Sequence, residues 1–409
     1  MKKLLPIILS VALLLSACST ASAASYDAQL TKQDIEPLDA GFVSGVNSFG
    51  ISAASKLYST DANLALSPVS IELALSMART GASGATKDEM TDALGLSSLS
   101  DGQITQACQS LMWRANTGGM EAANALWLLK DYKYKDDYIK TCTEKYMADL
   151  KPLDIPGAMD AVNAWAKEKT HGRIDKILSE EPNADARMII TNALYYLGDW
   201  DLPFDANDTY DDNFAAPGGG ATASFMHSEW SVPYYANDQF SMITLKFKAK
   251  DDEGKYAMAF ILPAEGSSVD ALLKSLNGDT FKAALGDAKD DQQVSISLPK
   301  FEFSYFAALA DTLKSMGMEK AFSIDDADFS GITDADQLYI SSVLHKCYVR
   351  VDELGAEAAA VTSVEMSATA MPMEPPLTFN ASRPFLFAIY SQEDGAIAFI
   401  GAVNDPSQK

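Results

Sequence analysis

Few residues in this chain have the types and spacing that catalysis requires. The three histidines are His171, His227 and His345, and His345 lies in a strand-like alternation with no catalytic serine signature beside it. The nucleophile motif G-x-S-x-G, the zinc motif H-E-x-x-H and the redox motif C-x-x-C are absent from the sequence. The sequence therefore predicts that the protein is not an enzyme and uses no metal and no cofactor.

The most unusual segment is a run of small side chains that begins at Glu353 and reads E-L-G-A-E-A-A-A. Read as a strand, it places the even-numbered residues from Ala356 to Ala368, all small or apolar, on one face. The other face carries both glutamates, Glu357 and Glu365. A strand of this composition can be half buried. The segment ends in the proline-rich stretch 371–376, which favours an exposed, extended chain, so the same residues can form a loop or a strand.

With motifs elsewhere, this segment resembles the reactive loop of the serpins, and the resemblance covers nearly the whole chain after about residue 40. The loop matches as E-L-G-A-E-A-A-A, a variable stretch, and then F-N-A-S-R-P-F-L-F at 379–387. Each further motif is weak alone, but together in the family's order they are a strong signal. They are L-S-P-V-S-I-E-L-A-L, G-A-S-G-A-T-K-D-E-M, V-N-A-W-A-K-E-K-T-H-G-R-I, T-N-A-L-Y-Y-L-G-D-W-D-L-P-F, M-A-F-I-L-P, L-P-K-F-E-F-S-Y, V-L-H-K-C-Y-V-R-V-D-E and A-F-I-G-A-V-N-D-P.

The resemblance implies an α+β fold with three β-sheets, about eight or nine helices and an exposed reactive loop. It also implies a suicide inhibitor of proteases. The target protease attacks the loop and forms an acyl-enzyme, and the cleaved loop then inserts into the main sheet as a new strand. A non-inhibitory binding or storage protein on the same fold is the alternative.

Counting from Gly355 as the family does, the scissile bond falls between Thr369 and Ala370. The neighbouring bonds at 368–369 and 370–371 stay open. Small residues at the cut favour an elastase-like serine protease or a papain-like cysteine protease, since no Lys or Arg lies between positions 350 and 383.

The resemblance also assigns a hinge and a gate under the sheet that opens. The hinge residues are Glu353, Gly355, Ala356, Glu357, Ala358, Ala359 and Ala360. The gate residues are Ser67, Ser70, Asn192, His345 and Trp200. For Trp200, core packing is an equally open role. Ala356 departs from the Thr or Ser that the family usually has at its position, but alanine is small enough to insert. Lys300 and Lys346 are assigned structural roles.

The N-terminus has the pattern of a targeting segment. Lys2 and Lys3 precede an apolar stretch, and Leu15-Ser16-Ala17-Cys18 resembles a bacterial lipobox, which implies lipidation of Cys18. We expect a signal peptide at 1–17, a lipidated N-terminus and flexible tether at 18–38, and a single serpin domain at 39–409 with its reactive loop at about 353–378. The protein would then be anchored at the bacterial cell envelope or surface. A secreted soluble protein, cleaved near 21–24, is the alternative.

Composition limits the partners. The 409 residues are 47% hydrophobic, enough for a large core, and the net charge of −24 argues against nucleic acid and heparin-like polyanions. The expected partner is the target protease in a covalent complex, with a monomeric inhibitor that meets a membrane only through its lipid. Cys108, Cys142 and Cys347 are predicted to be buried free thiols, with a 108–142 bridge left open.

Periodicity places helices mainly in the first half of the chain and strands mainly in the second, which indicates an α+β protein. Predicted helices are 41–58, 68–79, 87–94, 103–114, 136–146, 160–171, 269–275 and 307–316. Predicted strands are 188–197, 231–235, 242–248, 256–262, 294–303, 385–390 and 396–403, the last two joined by a hairpin at 393–395.

Overall fold

The computed structural model describes residues 35–117, 120–249, 255–290, 293–335, 337–356 and 375–409. The α-helices in these ranges are α1 (Ala40–Leu57), α2 (Pro68–Thr80), α3 (Gly84–Ala93), α4 (Asp101–Thr117), α5 (Asp136–Lys145), α6 (Ala158–Lys169), α7 (Val269–Ser275), α8 (Gly278–Asp287) and α9 (Ala310–Ser315). The strands are β1 (Leu64–Leu66), β2 (Met120–Leu129), β3 (Asp149–Leu153), β4 (Met188–Tyr196), β5 (Gly198–Asp199), β6 (Thr209–Phe214), β7 (Ala221–Ser231), β8 (Tyr234–Ala236), β9 (Phe240–Lys246), β10 (Tyr256–Pro263), β11 (Gln293–Pro299), β12 (Phe301–Ala308), β13 (Ile340–Val351), β14 (Gly355–Ala356), β15 (Leu377–Asn380), β16 (Phe385–Ser391) and β17 (Ile397–Val403).

All eight predicted helices are present, most with ends shifted by one to three residues. Two strand predictions are wrong in extent. The predicted strand 294–303 is two strands, β11 and β12, which lie in different sheets and are separated by Lys300. The predicted strand 231–235 is the end of β7 and the start of β8, with Val232 and Pro233 between them, because proline cannot donate to a ladder.

Three large sheets form within the described residues, as predicted. A five-stranded sheet has the order β12-β13-β4-β2-β3, a six-stranded sheet β1-β17-β16-β10-β9-β8, and a four-stranded sheet β15-β11-β7-β6. A short ribbon pairs β14 with β5. In the five-stranded sheet, β4 and β13 are neighbours that run parallel, while β12 and β2 pair antiparallel with β13 and β4 respectively.

Helix α2 packs between the five-stranded and six-stranded sheets and is buried along nearly its whole length. Ser67 is its N-cap and accepts a hydrogen bond from the Ser70 N–H, and Pro68 occupies the first turn, where no N–H is needed. The helix is thereby fixed with its N-terminus directly beneath the strands. Gly50 allows α1 and the start of α2 to pack closely together, because a Cβ there would lie 2.1 Å from Cγ of Pro68.

Three cysteines fall in the described residues, and all are buried free thiols, as predicted: Cys108, Cys142 and Cys347. None of the helices in this part of the chain has both the length and the apolar character needed to cross a bilayer.

Replacing Gly50 with alanine tests the packing that positions α2. Overpacking against Pro68 should cost about 1–3 kcal/mol, more than the roughly 0.5–1 kcal/mol that alanine gains over glycine within a helix. Gly102→Ala in α4 is the matched control, since a Cβ there meets nothing within 4 Å. Urea unfolding should therefore show a lower midpoint for Gly50→Ala and an unchanged or higher one for Gly102→Ala. Equal shifts of the same sign would contradict this account of the packing.

Candidate functional site

The parallel pair β4–β13 is the centre of the site. Its register runs from Ile340 opposite Met188 to Tyr348 opposite Tyr195, and His345 lies opposite Asn192. Both strands are flanked by further strands, so the pair lies in the interior of the sheet. A new strand could join here only if β4 and β13 separated.

A polar cluster, made of Ser67, Ser70, Asn124, Asn192 and His345, lies at the middle of this pair and is buried. His345 Nδ1 is 2.5 Å from Asn192 Oδ1, across the two strands. The Asn192 side-chain NH₂ donates to Ser70 Oγ and to Asn124 Oδ1. The Ser67 backbone N–H donates to His345 Nε2 over 3.2 Å. The cluster therefore ties β2, β4 and β13 to the N-terminus of α2.

The hydrogen bonds identify the tautomer of His345. Nε2 accepts from a backbone N–H and must be unprotonated, so Nδ1 carries the proton and donates to Asn192 Oδ1. Burial lowers the pKa of His345 from 6.5 to about 3, because a charged imidazole would be desolvated there. Protonation of Nε2 would also place its N–H against the Ser67 backbone N–H, so that two hydrogen-bond donors would face each other. The imidazole is therefore neutral at pH 7.

The hinge segment, residues 352–356, turns the chain at the end of β13. Asp352 shapes the turn, since its N–H donates to Gly355 O over 3.0 Å and its side chain accepts from the Leu354 N–H over 2.9 Å. Gly355 and Ala356 then pair antiparallel with Asp199 and Gly198 of β5. Gly355 has φ +149°, and a Cβ there would lie 2.1 Å from Gly198 O, so only glycine fits.

Residues after β4 hold the hinge segment by direct contacts. The Trp200 indole N–H donates to Asp352 O over 2.9 Å, and its backbone N–H donates to Leu354 O over 2.7 Å. The Phe204 N–H donates to Glu353 O over 2.9 Å. Trp200 is also stacked on Phe247, with 4.5 Å between ring centroids. Trp200 therefore both packs in the core and holds the hinge segment.

Two ion pairs brace the same turn. Lys300 Nζ lies 2.7 Å from Glu353 Oε2, and an Arg350 guanidinium nitrogen lies 2.7 Å from Asp352 Oδ2. Burial is the largest single influence and by itself would raise the pKa of Glu353. The hydrogen bonds from Lys300, from the backbone and from Thr209, together with the charge of Lys300, outweigh it, and the pKa is lowered. Glu353 is therefore ionised in the intact protein and forms an ion pair with Lys300, the residue directly after β11.

The structure brings Ser67, Ser70, Asn192 and His345 into one hydrogen-bonded cluster, while Trp200 lies with the hinge segment and makes no contact with that cluster. The roles assigned to these residues stay predictions. Several predicted site residues lie outside the described residues. They are Cys18, Glu357, Ala358, Ala359, Ala360, Thr369 and Ala370.

Sequence reasoning missed Asn124 and Asp352. Asn124 interrupts an otherwise apolar strand, A-N-A-L-W-L, and that interruption was the available signal. Its side-chain nitrogen has no partner within the described residues, although it is buried. Nowhere in that part of the chain do three or more His, Cys, Asp or Glu side chains gather as a metal site would require.

The family model described as "Serpin (serine protease inhibitor)" matches residues 44–406. The chain belongs to the serpin family. An uncharacterised serpin-like protein of Thermococcus kodakarensis is 34% identical over 387 residues, covering 92% of this chain and 89% of that protein. Iripin-2 of Ixodes ricinus is 32% identical over 374 residues, covering 88% of this chain and 92% of its own length.

The fold of this serpin is also that of solved relatives. The native state of the thermophilic serpin tengpin superposes with a TM-score of 0.83 at 31% identity, covering 91% of this chain and 96% of that one. The serpin fold predicted from the sequence is confirmed. The family is described as one of serine protease inhibitors, and the closed strand pair and the braced hinge are parts of its fold.

The depressed pKa of His345 predicts an acid-sensitive sheet. Between pH 6.5 and 3 the unfolded chain binds a proton at His345 that the native imidazole does not bind, so the contribution of His345 to native stability falls by about 1.4 kcal/mol per pH unit as the pH drops. His345→Gln should remove this component from the pH dependence of the urea unfolding midpoint. Exposed His171→Gln is the control and should retain it.

The comparison between variants is needed because Glu72 acts in the opposite direction. Burial raises the pKa of Glu72 to about 8, so its contribution to stability grows as the pH falls from 8 towards 4.5. Both variants keep Glu72, so the difference between their slopes isolates His345. Parallel slopes for the two variants between pH 6.5 and 4 would show that His345 does not titrate as stated.

Proposed function

We propose that this serpin is a suicide inhibitor that traps its target protease as an acyl-enzyme while the cleaved reactive loop inserts between β4 and β13. The observation that carries the proposal is the hinge segment. It leaves β13, turns back, and forms its first two strand pairs with β5, directly beyond the end of β4. A chain continued in that direction enters the β4–β13 pair.

The direction of the hinge suits the sheet. β4 and β13 run parallel, so a strand that returns from the end of β13 runs antiparallel to both. Insertion would replace one parallel ladder with two antiparallel ones, and antiparallel pairing is slightly more stable per residue. It would also extend the five-stranded sheet without reversing any existing strand.

The register of the hinge indicates which residues would pair with β4. Gly355 lies opposite Asp199 and Ala356 opposite Gly198, so the same register would set Ala358 opposite Tyr196 and Met366 opposite Met188. That stretch has the same length as β4. Loop residues of even number would share the face of Ala356, whose side chain is 2% exposed and belongs to the core. The small, uncharged face of the loop would therefore be the buried one.

The polar cluster supplies a barrier at the middle of this path. In the register of the hinge, Thr362 would arrive opposite Asn192, which bonds to His345 in the intact protein. The bond between them must part before the strand can pass. The inserted strand gains hydrogen bonds at roughly 0.5–1.5 kcal/mol each on both sides, together on the order of 10 kcal/mol. The intact form would then be metastable and held by kinetics.

The sequence at the cut suggests the class of target. The scissile bond proposed between Thr369 and Ala370 has small residues on both sides, which suit an elastase-like serine protease or a papain-like cysteine protease. A protease that cleaves after Lys or Arg would find no such residue in the loop. Adduct formation across a panel of such proteases, with sequencing of the released C-terminal peptide, would test both the target class and the bond.

We also propose that the protein is a lipoprotein, with Cys18 as its lipidated N-terminus and the inhibitor domain held at the bacterial envelope by residues 18–38. The support is the sequence L-S-A-C after an apolar stretch. In the native host, Cys18→Ser should move the protein from the membrane fraction to the soluble fraction, while Cys108→Ser should leave it in place. Membrane retention of the Cys18→Ser protein would exclude this anchor.

Nicking the loop should raise the stability of the whole protein. A gain on the order of 10 kcal/mol, at about 2 °C per kcal/mol for a large domain, raises Tm by roughly 20 °C or more. Thermal unfolding followed by circular dichroism before and after limited proteolysis measures it. An unchanged Tm after complete nicking would favour a non-inhibitory binding or storage protein on the same fold.

A charge on the buried face of the loop should convert the inhibitor into a substrate. Ala358→Arg puts a guanidinium on the inner face at a cost of several kcal/mol, so insertion slows and deacylation overtakes trapping. Glu357→Arg is the matched control, because its face already carries a charge. The fraction of an elastase-like protease held in a detergent-stable complex should fall at least roughly tenfold for Ala358→Arg only. Equal trapping by the two variants would refute the stated orientation of the strand.

A further inference from the structure

A cavity of about 210 Å³ lies beside the chain segment that holds the hinge. Leu202 forms part of its rim, and Val232 and Leu245 form apolar walls that are each 5% exposed. An engineered apolar cavity of about 150 Å³ accommodates benzene. The space therefore suits a single aromatic ring with a short substituent.

The polar groups around this cavity favour a cation. Asp201 and Asp290 line it and are exposed, and within the described residues neither carboxylate has an ion pair or a side-chain hydrogen bond. Lys246 is the cation among the described lining residues, which leaves the rim with a net charge of −1. Trp230 adds an aromatic surface against which a flat ring can pack.

The cavity is connected to the hinge through a few residues. Asp201 and Leu202 lie between Trp200 and Phe204, which donate three hydrogen bonds to carbonyls of the hinge segment. Trp230 packs on the Phe204 ring with 4.5 Å between centroids. Asp201 is itself held by its N–H, which donates to Lys246 O over 2.9 Å. A molecule in the cavity would therefore contact Asp201 and Leu202 of the segment that holds the loop base, and would reach Phe204 through Trp230.

We propose that this cavity binds a small organic amine with a flat apolar body, its ammonium group between Asp201 and Asp290 and its ring against Trp230, Val232 and Leu245. The bound amine stabilises the conformation of residues 200–204, and because these residues hydrogen-bond to the hinge segment, it also stabilises the hinge in its intact arrangement. Binding stands on the cavity alone, whereas the coupling to the hinge rests on the proposed insertion of the loop. By linkage, insertion must then weaken the binding of the amine.

Binding is tested on the intact protein with 2-phenylethylamine, and with 2-phenylethanol as its uncharged counterpart, by calorimetry or ligand-observed NMR. The amine should bind roughly fivefold more tightly than the alcohol, the upper size expected of an exposed ion pair. The double variant Asp201→Asn, Asp290→Asn should lose that advantage. Asp238→Asn, an exposed carboxylate in a nearby turn, is the control and should keep it.

Equal affinities for amine and alcohol, no saturable binding of the amine at millimolar concentration, or an unchanged affinity in the double variant would overturn the site. Coupling is tested by comparing the affinity of 2-phenylethylamine for intact and loop-nicked protein. The affinity for the nicked protein should be lower by a factor of roughly three or more. Equal affinities for intact and nicked protein, when nicking has raised Tm, would overturn the coupling. A nicked protein with unchanged Tm would instead count against loop insertion, and the comparison of amine with alcohol would still decide the site.

Discussion

The hydrogen bond between His345 and Asn192 is the interaction on which the rest of the structure depends. It joins the two strands of a parallel pair in the interior of a sheet, between two side chains that are neutral and buried. A buried polar network of this kind is stable only while all of its members remain in place. At this position β4 and β13 are therefore joined by polar side chains. Replacing one of them with an apolar side chain would leave a buried hydrogen-bond donor without an acceptor.

The hinge at the end of β13 is held independently of that cluster. Trp200 and Phe204 contact it from the segment after β4 and Lys300 from the residue after β11, and Gly355 allows the close approach to β5. The loop base is thus placed beyond the end of the strand pair. In the proposed insertion, strand separation and hinge release would be two events that depend on different residues.

Local signals predicted much of the fold and failed where tertiary contacts decide. The Ser67 cap with Pro68, and the hairpin around Gly395, are short-range features, and both appear as predicted. The stretch from Val294 to Phe303 has continuous strand periodicity, yet it divides at Lys300 because that side chain pairs with Glu353 and the backbone leaves one sheet for another. Strands β2 and β3 were missed among helices. β2 is stabilised by pairing with β4 and β3 on its two sides, and β3 is a short edge strand whose five residues show no alternation of buried and exposed side chains.

The site was less accessible to sequence reasoning than the fold. His345 and Asn192 are 153 positions apart, and only the parallel register of β4 and β13 sets them opposite each other. The resemblance to serpins grouped them, but it could not supply the Asn124 contact, the tautomer of His345 or the place of Trp200. Asp352 was missed because an acidic residue after a strand usually indicates a solvated turn, whereas here its side chain is 8% exposed and shapes the hinge.

The two backbone pairs between β14 and β5 have a kinetic consequence. Starting a strand from a free loop requires an unfavourable nucleus, because several residues lose their freedom before the first ladder bond compensates for it. Here Gly355 and Ala356 already form that nucleus. Insertion of the loop after cleavage would therefore proceed as elongation from an existing nucleus. Its rate would be limited by how readily β4 and β13 separate.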